Sequence, residues 1–209
     1  MEDVSVNLFS DCPSGLAPLL RSATVGIAGA GGIGSNVAWL LARAGTGRLV
    51  VADHDVVETS NLNRQFYFLD QVGRPKTEAL GENLKRINPG LELVLHRERI
   101  VPGNACSLFR EADLLVEALD RESVKVMLLE SWLLGLPGIP VVACSGLAGE
   151  GGTDDVRVDR RSGLTIVGDQ SSDLSLGTLS SRVCLVASMM ANEAISLLRA
   201  GLELKTYSY

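Results

Sequence analysis

Residues 24–34 read TVGIAGAGGIG, an apolar run that meets a cluster of glycines. The composition of residues 24–28 is that of a buried parallel strand. The segment 33–44 carries apolar residues at helical spacing on one face, and Gly45 and Gly47 are suited to end a helix. RLVVADHD, residues 48–55, then predicts a second strand. Residues 24–55 therefore predict a strand, a glycine loop, a helix and a second strand.

The glycine loop, residues 29–34, reads GAGGIG. Glycines allow a tight turn and let backbone N–H groups approach a phosphate, and the N-terminus of the following helix favours an anion. Asp53, at the end of the second strand, is placed to accept hydrogen bonds from ribose hydroxyls. These features predict a site for the phosphates and ribose of an adenine nucleotide. The alternatives are tight helix–strand packing without a ligand, and a nicotinamide dehydrogenase.

Strands and helices alternate along most of the remaining chain. Helices are predicted at 75–88, 121–134 and 178–201, and strands at 92–100, 112–119 and 138–146. Thr178 is the expected cap of the last helix and Gly201 its expected stop. This pattern predicts one α/β domain over residues 1–209, Rossmann-like and doubly wound, with a mainly parallel sheet and helices on both faces. Residues 1–20 are expected to form a leader, and residues 146–177 a crossover or mobile region with one strand candidate at 164–168.

Composition narrows the possible partners. The net charge of −6, from 19 basic and 25 acidic residues, argues against nucleic-acid binding through phosphate neutralisation. No uncharged apolar run reaches the roughly 18 residues of a membrane helix, and the N-terminus lacks a signal-peptide pattern. The four cysteines form no CxxC pair, so neither a disulfide framework nor a structural zinc is expected. The sequence therefore predicts a cytoplasmic protein that acts on small molecules or proteins, with no membrane contact and with nucleic acid disfavoured as a partner.

Charged residues downstream of Asp53 change the expected chemistry. Arg64 lies in SNLNRQ at 60–65, and Lys76 ends GRPK at 73–76. Arginine can clamp two phosphate oxygens and lysine supplies a point charge, whereas Asp120, at the end of the fourth predicted strand, could hold a magnesium ion that bridges phosphates. The set favours nucleotidyl transfer from ATP over hydride transfer. As alternatives, Arg64 and Lys76 are solvated charges, Asp120 caps a helix and Asn61 is a turn residue.

The motifs GAGGIG (29–34), DHDVVETSNLNRQ (53–65), GRPK (73–76) and LLVEALD (114–120) resemble the ThiF/MoeB/HesA family, relatives of ubiquitin-activating enzymes. The similarity covers about residues 20–145, and the final helix more loosely. The resemblance implies an adenylyltransferase that uses ATP and magnesium on the C-terminal glycine of a small ubiquitin-like carrier ending in Gly-Gly, releasing pyrophosphate. It also implies a homodimer.

The resemblance assigns residues one by one. Arg64, Lys76 and Asp120 are implied as catalytic, with Asp120 associated with magnesium through ATP. No general base is required, because the attacking carboxylate is already ionised at neutral pH. The implied nucleotide ligands are Gly29, Gly31, Gly32, Gly34, Asp53, Asp55, Ser60, Asn61, Arg64, Gln65 and Lys76.

The chain also departs from the family pattern. It lacks the zinc-binding CxxC pairs, has no arginine before Arg21, carries Arg121 after Asp120, and stops soon after the final helix. These departures resemble a short ThiF-like subgroup that serves thiamin thiazole synthesis. Carrier activation for molybdopterin or another sulfur pathway, tRNA-modifying cyclase-type activation, and a non-catalytic nucleotide-binding module are the alternatives.

Two cysteines bear on whether sulfur transfer follows adenylation. Cys184 lies in the apolar stretch CLVASMM of the final helix, where burial is expected to make it inert. Cys144 ends a strand at the expected ligand edge and is the better candidate, although core packing is favoured for it too. The sequence therefore supports the adenylation step alone.

Overall fold

The computed structural model describes residues 9, 11–13 and 15–206, with the side chains of Leu174 and of residues 202–206 left out. Half of the predicted leader, residues 1–20, lies outside this part of the chain. The strands are β1 (Thr24–Ala28), β2 (Arg48–Ala52), β3 (Glu92–His96), β4 (Leu114–Glu117), β5 (Val141–Cys144), β6 (Arg157–Arg161) and β7 (Leu164–Gly168). The helices are α1 (Leu16–Ser22), α2 (Gly32–Ala44), α3 (Lys76–Ile87), α4 (Ala105–Phe109), α5 (Glu122–Gly135) and α6 (Ser180–Thr206).

The seven strands form one sheet in the order β3-β2-β1-β4-β5-β7-β6. All neighbours pair in parallel except β6, which runs antiparallel to β7 at the edge. From β1 the chain adds β2 and β3 on one side, then returns to add β4 and β5 on the other. The sheet thus has a topological switch point between β1 and β4, and a crevice for ligands is expected outside the carboxyl ends of these strands. The predicted fold class is confirmed.

Two apolar clusters cover the two faces of the sheet. The larger one joins alternate strand residues such as Val25 and Ile27 to α2, α3 and α6. The smaller one joins Ala28 and Val50 to α4 and α5, where the rings of Phe109 and Trp132 meet edge to face at 6.3 Å. This alternation along β1 shows that the strand is buried on both faces, as parallel sheets require.

Helix α6 crosses the larger cluster. By length and composition alone, Ser180–Gly201 is also long and apolar enough to span a membrane, a test that the core helix of a soluble protein passes too. In the fold this helix buries one face against the sheet, and bidentate hydrogen bonds of 2.6 and 2.8 Å join Arg160 of β6 to its Glu193. The buried apolar residues of this face are Val183, Val186, Ala187, Met190, Ala191, Ala194 and Leu198.

Several local predictions need correction. Helix α6 begins at Ser180 and continues through Gly201, so Thr178 is not its cap and Gly201 does not stop it. Thr178 instead forms a parallel bridge with Gly149. Helices α1 and α4 were not predicted, because both are short. Residues 146–177 hold the strand predicted at 164–168 and also β6, whose RVDRR sequence lacks the apolar pattern of a buried strand.

Candidate nucleotide-binding site

A cleft of about 970 Å³ opens at the carboxyl ends of the strands, where the topology places it. Its size suits a nucleotide, since small-molecule pockets occupy about 300–1,000 Å³. The glycine loop, the ends of β2 and β4, and the segment after β5 form its walls. Of the predicted ligands, these line it: Gly29, Gly31, Gly32, Asp53, Asp55, Asn61, Arg64, Gln65, Lys76 and Asp120.

The glycine loop brings β1 and α2 close together. Gly29 has φ +97°, a left-handed conformation that favours glycine, and its N–H donates to the Ala52 carbonyl at 2.9 Å. Gly34 does not line the cleft, because it packs directly against the Gly29 carbonyl oxygen and leaves no space for a Cβ. Helix α2 begins at Gly32 without a side-chain cap. The first N–H groups of this helix are therefore available to an anion in the cleft.

Asp53 and Tyr67 hold the loop in place. The Asp53 carboxylate accepts N–H groups from Ala30 at 2.6 Å and from Asp55 at 2.7 Å. The Tyr67 hydroxyl donates to the Ala30 carbonyl at 2.7 Å. Burial, reinforced by the nearby Asp53 carboxylate, raises the pKa of Tyr67 well above its usual range, so this phenol stays a donor. Asp53 thus reaches the cleft already fixed by the backbone, and each of its oxygens can accept a further hydrogen bond.

Lys76 is not a solvated surface charge. It is 6% exposed, and its Nζ lies 3.0 Å from the Asp55 carboxylate. Burial on its own would raise the pKa of Asp55, but the hydrogen bond and charge of Lys76 outweigh it and hold the pKa below its usual value. The pair places one cation and one carboxylate in the cleft wall beside Asp53.

The predicted ligands in the SNLNRQ segment, residues 60–65, differ in their contacts and in their burial. Arg64 is half-buried next to Gly32, and its Nη1 donates to the Ser60 carbonyl at 2.9 Å and to Asn63 Oδ1 at 2.8 Å. Asn61 is buried, and its Oδ1 accepts the Glu58 N–H at 3.0 Å, as the turn-residue alternative expects.

Two further predicted ligands of this segment differ in their access to the cleft. The Ser60 hydroxyl lies 3.2 Å from Glu58 and does not line the cleft. Gln65 does line the cleft, and its Oε1 is buried without a hydrogen-bond partner among the described residues.

Asp120 is exposed and lines the cleft. Helix α5 begins at Glu122 without a side-chain cap, so Asp120 does not cap it. Within the described part of the chain, no hydrogen bond or ion pair engages its carboxylate. An unengaged carboxylate facing a phosphate site fits magnesium, which prefers oxygen ligands and usually keeps several waters.

The buried Glu117 and the half-buried Lys125 form an ion pair that was not predicted from the sequence. Lys125 Nζ lies 2.8 and 3.1 Å from the two Glu117 oxygens and 3.1 Å from the Cys144 carbonyl. Burial raises the pKa of Glu117, although Lys125 opposes this shift. The available signal was an acid ending the apolar run LLVE with a lysine eight residues later.

A buried ion pair between Asp169 and Arg182 holds the segment 146–177 in place beside the cleft. Arg182 of α6 lies 2.6 Å from the Asp169 carboxylate and also donates to the carbonyls of Gly151 and Gly152 at 2.8 and 3.2 Å. This contact and the hydrogen bonds from Ser171 and Ser172 hold the pKa of Asp169 far below its usual range, against the effect of burial. A cavity of about 560 Å³ adjoins the cleft here, and the two share Ser171 and Ser172.

The burial of Cys144 and Cys184 differs in part from the prediction. Cys144 is buried, as expected, but Cys184 is exposed, and its expected burial was wrong. Helical phase explains the error, because the buried face of α6 runs through Val183, Val186 and Ala187 and turns Cys184 outward.

The two thiols are expected to differ in reactivity. Burial raises the pKa of the Cys144 thiol to about 12, so almost no thiolate forms there at neutral pH. Alkylation of the native protein at neutral pH should therefore modify Cys184 well before Cys144, and raising the pH to about 9 should not reverse the order. Peptide mass spectrometry of timed iodoacetamide reactions measures this, with the Cys184→Ser variant as control. Equal labelling of both would contradict the burial of Cys144.

The chain has a doubly wound α/β fold, and the cleft at its switch point combines the glycine loop with the cations Arg64 and Lys76. The chain belongs to the ThiF family, whose sequence pattern matches residues 6–208. This confirms the family predicted from the motifs.

Curated relatives match part of this chain in sequence. It is 37% identical over 132 residues to the adenylyltransferase and sulfurtransferase UBA4 of Yarrowia lipolytica, covering 63% of this chain and 33% of that protein. It is 32% identical over 191 residues to the probable adenylyltransferase/sulfurtransferase MoeZ of Mycobacterium tuberculosis, covering 86% of this chain and 48% of that one. The chain thus spans between about a third and a half of these relatives.

Solved structures support the fold. The Escherichia coli tRNA N6-threonylcarbamoyladenosine dehydratase TcdA, crystallised with ATP, superposes with a TM-score of 0.84 at 20% identity, covering 96% of this chain and 94% of that one. Escherichia coli MccB with ATP superposes with a TM-score of 0.69 at 20% identity, covering 89% and 58%. At this identity the likeness establishes the architecture alone.

Proposed function

We propose that this protein is an adenylyltransferase that uses ATP to adenylate the C-terminal glycine of a small ubiquitin-like carrier protein. One observation carries the proposal: the cleft brings Arg64, Lys76 and Asp120 together with the glycine loop. Relatives that are 32–37% identical are named as adenylyltransferases, which supports the same reaction class.

Each residue has a role in this reaction. The N-terminus of α2 and the Asp53 carboxylate hold the phosphates and the ribose. A carboxylate oxygen of the carrier attacks the α-phosphorus, a new P–O bond forms, and the bond to pyrophosphate breaks. Arg64 and Lys76 stabilise the negative charge that develops on the phosphoryl oxygens and on the departing pyrophosphate. Asp120 would hold magnesium, which when bound neutralises phosphate charge.

Within this proposal, the carrier is a ThiS-type protein of thiamin thiazole synthesis, and the enzyme is a cytoplasmic homodimer. The absence of CxxC pairs from residues 1–209 supports the ThiF-like assignment. Carriers for molybdopterin or other sulfur pathways have the same Gly-Gly chemistry and therefore form the other arms of the test.

The test is ATP–pyrophosphate exchange with purified carriers of the ThiS type and of the molybdopterin type. Each carrier is compared with a form that lacks its C-terminal glycine, which removes the attacking carboxylate from its proper position. Exchange that requires the intact tail supports the proposal, and the preferred carrier decides the pathway. Lack of exchange with every Gly-Gly carrier, or ATP turnover stimulated by tRNA instead, would reject carrier adenylation.

A further inference from the structure

The ion pair between the buried Glu117 and the half-buried Lys125, at the end of β4, links four parts of the cleft wall. Glu117 is fully buried at the last position of the strand, and Lys125 lies in the first turns of α5. Lys125 donates to both Glu117 oxygens and to the Cys144 carbonyl at the end of β5, and Glu117 also accepts the Leu119 N–H at 2.7 Å. The pair therefore ties β4, the turn after it, α5 and β5 together.

Fold stability alone does not account for such a pair. Two apolar side chains of similar size would fill this space without the cost of desolvating the Glu117 carboxylate and partly desolvating the Lys125 ammonium. Buried ion pairs are better explained where a particular geometry has to be fixed. Here the fixed element is the turn at Leu119, and the next residue is Asp120, which lines the cleft.

The charge of Lys125 also matters to Asp120, because both residues line the same cleft. The three N–H groups of the Lys125 ammonium are occupied by Glu117 and Cys144. Lys125 therefore has no donor left for the Asp120 carboxylate, which stays without an ion-pair partner among the described residues.

We infer that Glu117 and Lys125 are positioning residues that aim the Asp120 carboxylate into the cleft and keep it available to magnesium-bound ATP. The inference rests on the proposed function for the role of Asp120. Neither residue contacts the reacting atoms. Glu117 acts through the Leu119 N–H, and Lys125 acts by holding Glu117 and the end of β5.

The test measures the dissociation constant of ATP with magnesium and with a chelator, by titration calorimetry. The quantity compared is the dissociation constant in chelator divided by the dissociation constant with magnesium. Lys125→Met should reduce this ratio about 10-fold to 100-fold, the usual cost of losing a group that orients a metal ligand. Affinity in chelator should stay near that of the wild type. Lys125→Arg, which keeps the charge and the donors, should restore most of the ratio. Lys85→Met, at an exposed lysine of α3, is the matched control.

A purely structural pair would lower the unfolding temperature and change both affinities together. If Lys125→Met does not fold, the double variant Glu117→Gln with Lys125→Met carries the test, because it leaves no unpaired buried charge. If the ratio of dissociation constants is unchanged in either folded variant, the inference is overturned. It is also overturned if the wild type binds ATP equally well with magnesium and with chelator. A wild type that shows the magnesium effect but no exchange with any carrier would reject carrier adenylation while leaving the inference intact.

Discussion

The variants Asp120→Ala and Arg64→Ala should each lose about 100-fold to 1,000-fold of the wild-type ATP–pyrophosphate exchange rate. Arg64 lies beside the start of α2, and Asp120 lines the same cleft, where no described residue pairs with its carboxylate. Each variant removes a charge that acts on the phosphates as negative charge develops. The loss should appear mainly in the maximal exchange rate, because these interactions strengthen in the transition state.

Both variants should keep the fold, because neither side chain belongs to the apolar core. Asp120 is exposed and Arg64 is half-buried, so the unfolding temperature should stay close to that of the wild type. Asp70→Ala and Arg86→Ala remove the same charges from exposed positions that do not line the cleft and serve as controls. Wild-type exchange in both cleft variants, with folding intact, would show that the catalytic charges lie elsewhere.

The variant Gly34→Ala should lose about 100-fold in exchange, because it displaces the glycine loop that holds the nucleotide. A Cβ at this position overlaps the backbone carbonyl of Gly29, and backbone cannot move aside as a flexible side chain can. Overpacking of this kind costs about 1–3 kcal/mol of the free energy of unfolding. Chemical denaturation and ATP titration measure the two effects separately.

Gly31→Ala provides the matched control for this change. It adds the same methyl group in the same loop, but the nearest atom outside the adjacent chain, Gln65 Nε2, lies 3.9 Å away. Its φ of −81° also lies outside the left-handed region that favours glycine. Gly31→Ala should therefore unfold at nearly the wild-type denaturant concentration. Equal stability of the two variants would contradict the close approach of Gly34 to Gly29.

Local sequence patterns were enough to predict the parallel part of the sheet. Apolar runs such as residues 24–28 and 114–117 are short and bounded by glycine or charge, and the helices between them have clear 3.6-residue periodicity. Strand β6 was not predicted, because an edge strand buries little surface and its RVDRR sequence has no apolar pattern. The exposure of Cys184 was not predicted, because composition locates the helix but does not fix where each side chain points around the helix axis.

The site was predictable where the motif is contiguous in sequence. The glycine loop, Asp53, Arg64 and Lys76 meet because α2 and α3 start at the carboxyl edge of the sheet. The Lys76–Asp55 pair, the Glu117–Lys125 pair and the Arg182–Asp169 contact depend on how distant elements pack. Nothing in the residues on either side of Arg182 indicates its partner 13 positions earlier, so only the folded chain shows this contact.

The outer edge of the sheet has a consequence for how copies of this chain meet in solution. Strand β6 presents an open row of backbone donors and acceptors, which in many proteins recruits a strand from another molecule and starts aggregation. Here the row is flanked by Arg157, Asp159, Arg160 and Arg161, and all three of these arginines are exposed. An incoming strand would have to desolvate these charges. The β6 edge is therefore protected against cross-β association during folding, when such edges are most accessible.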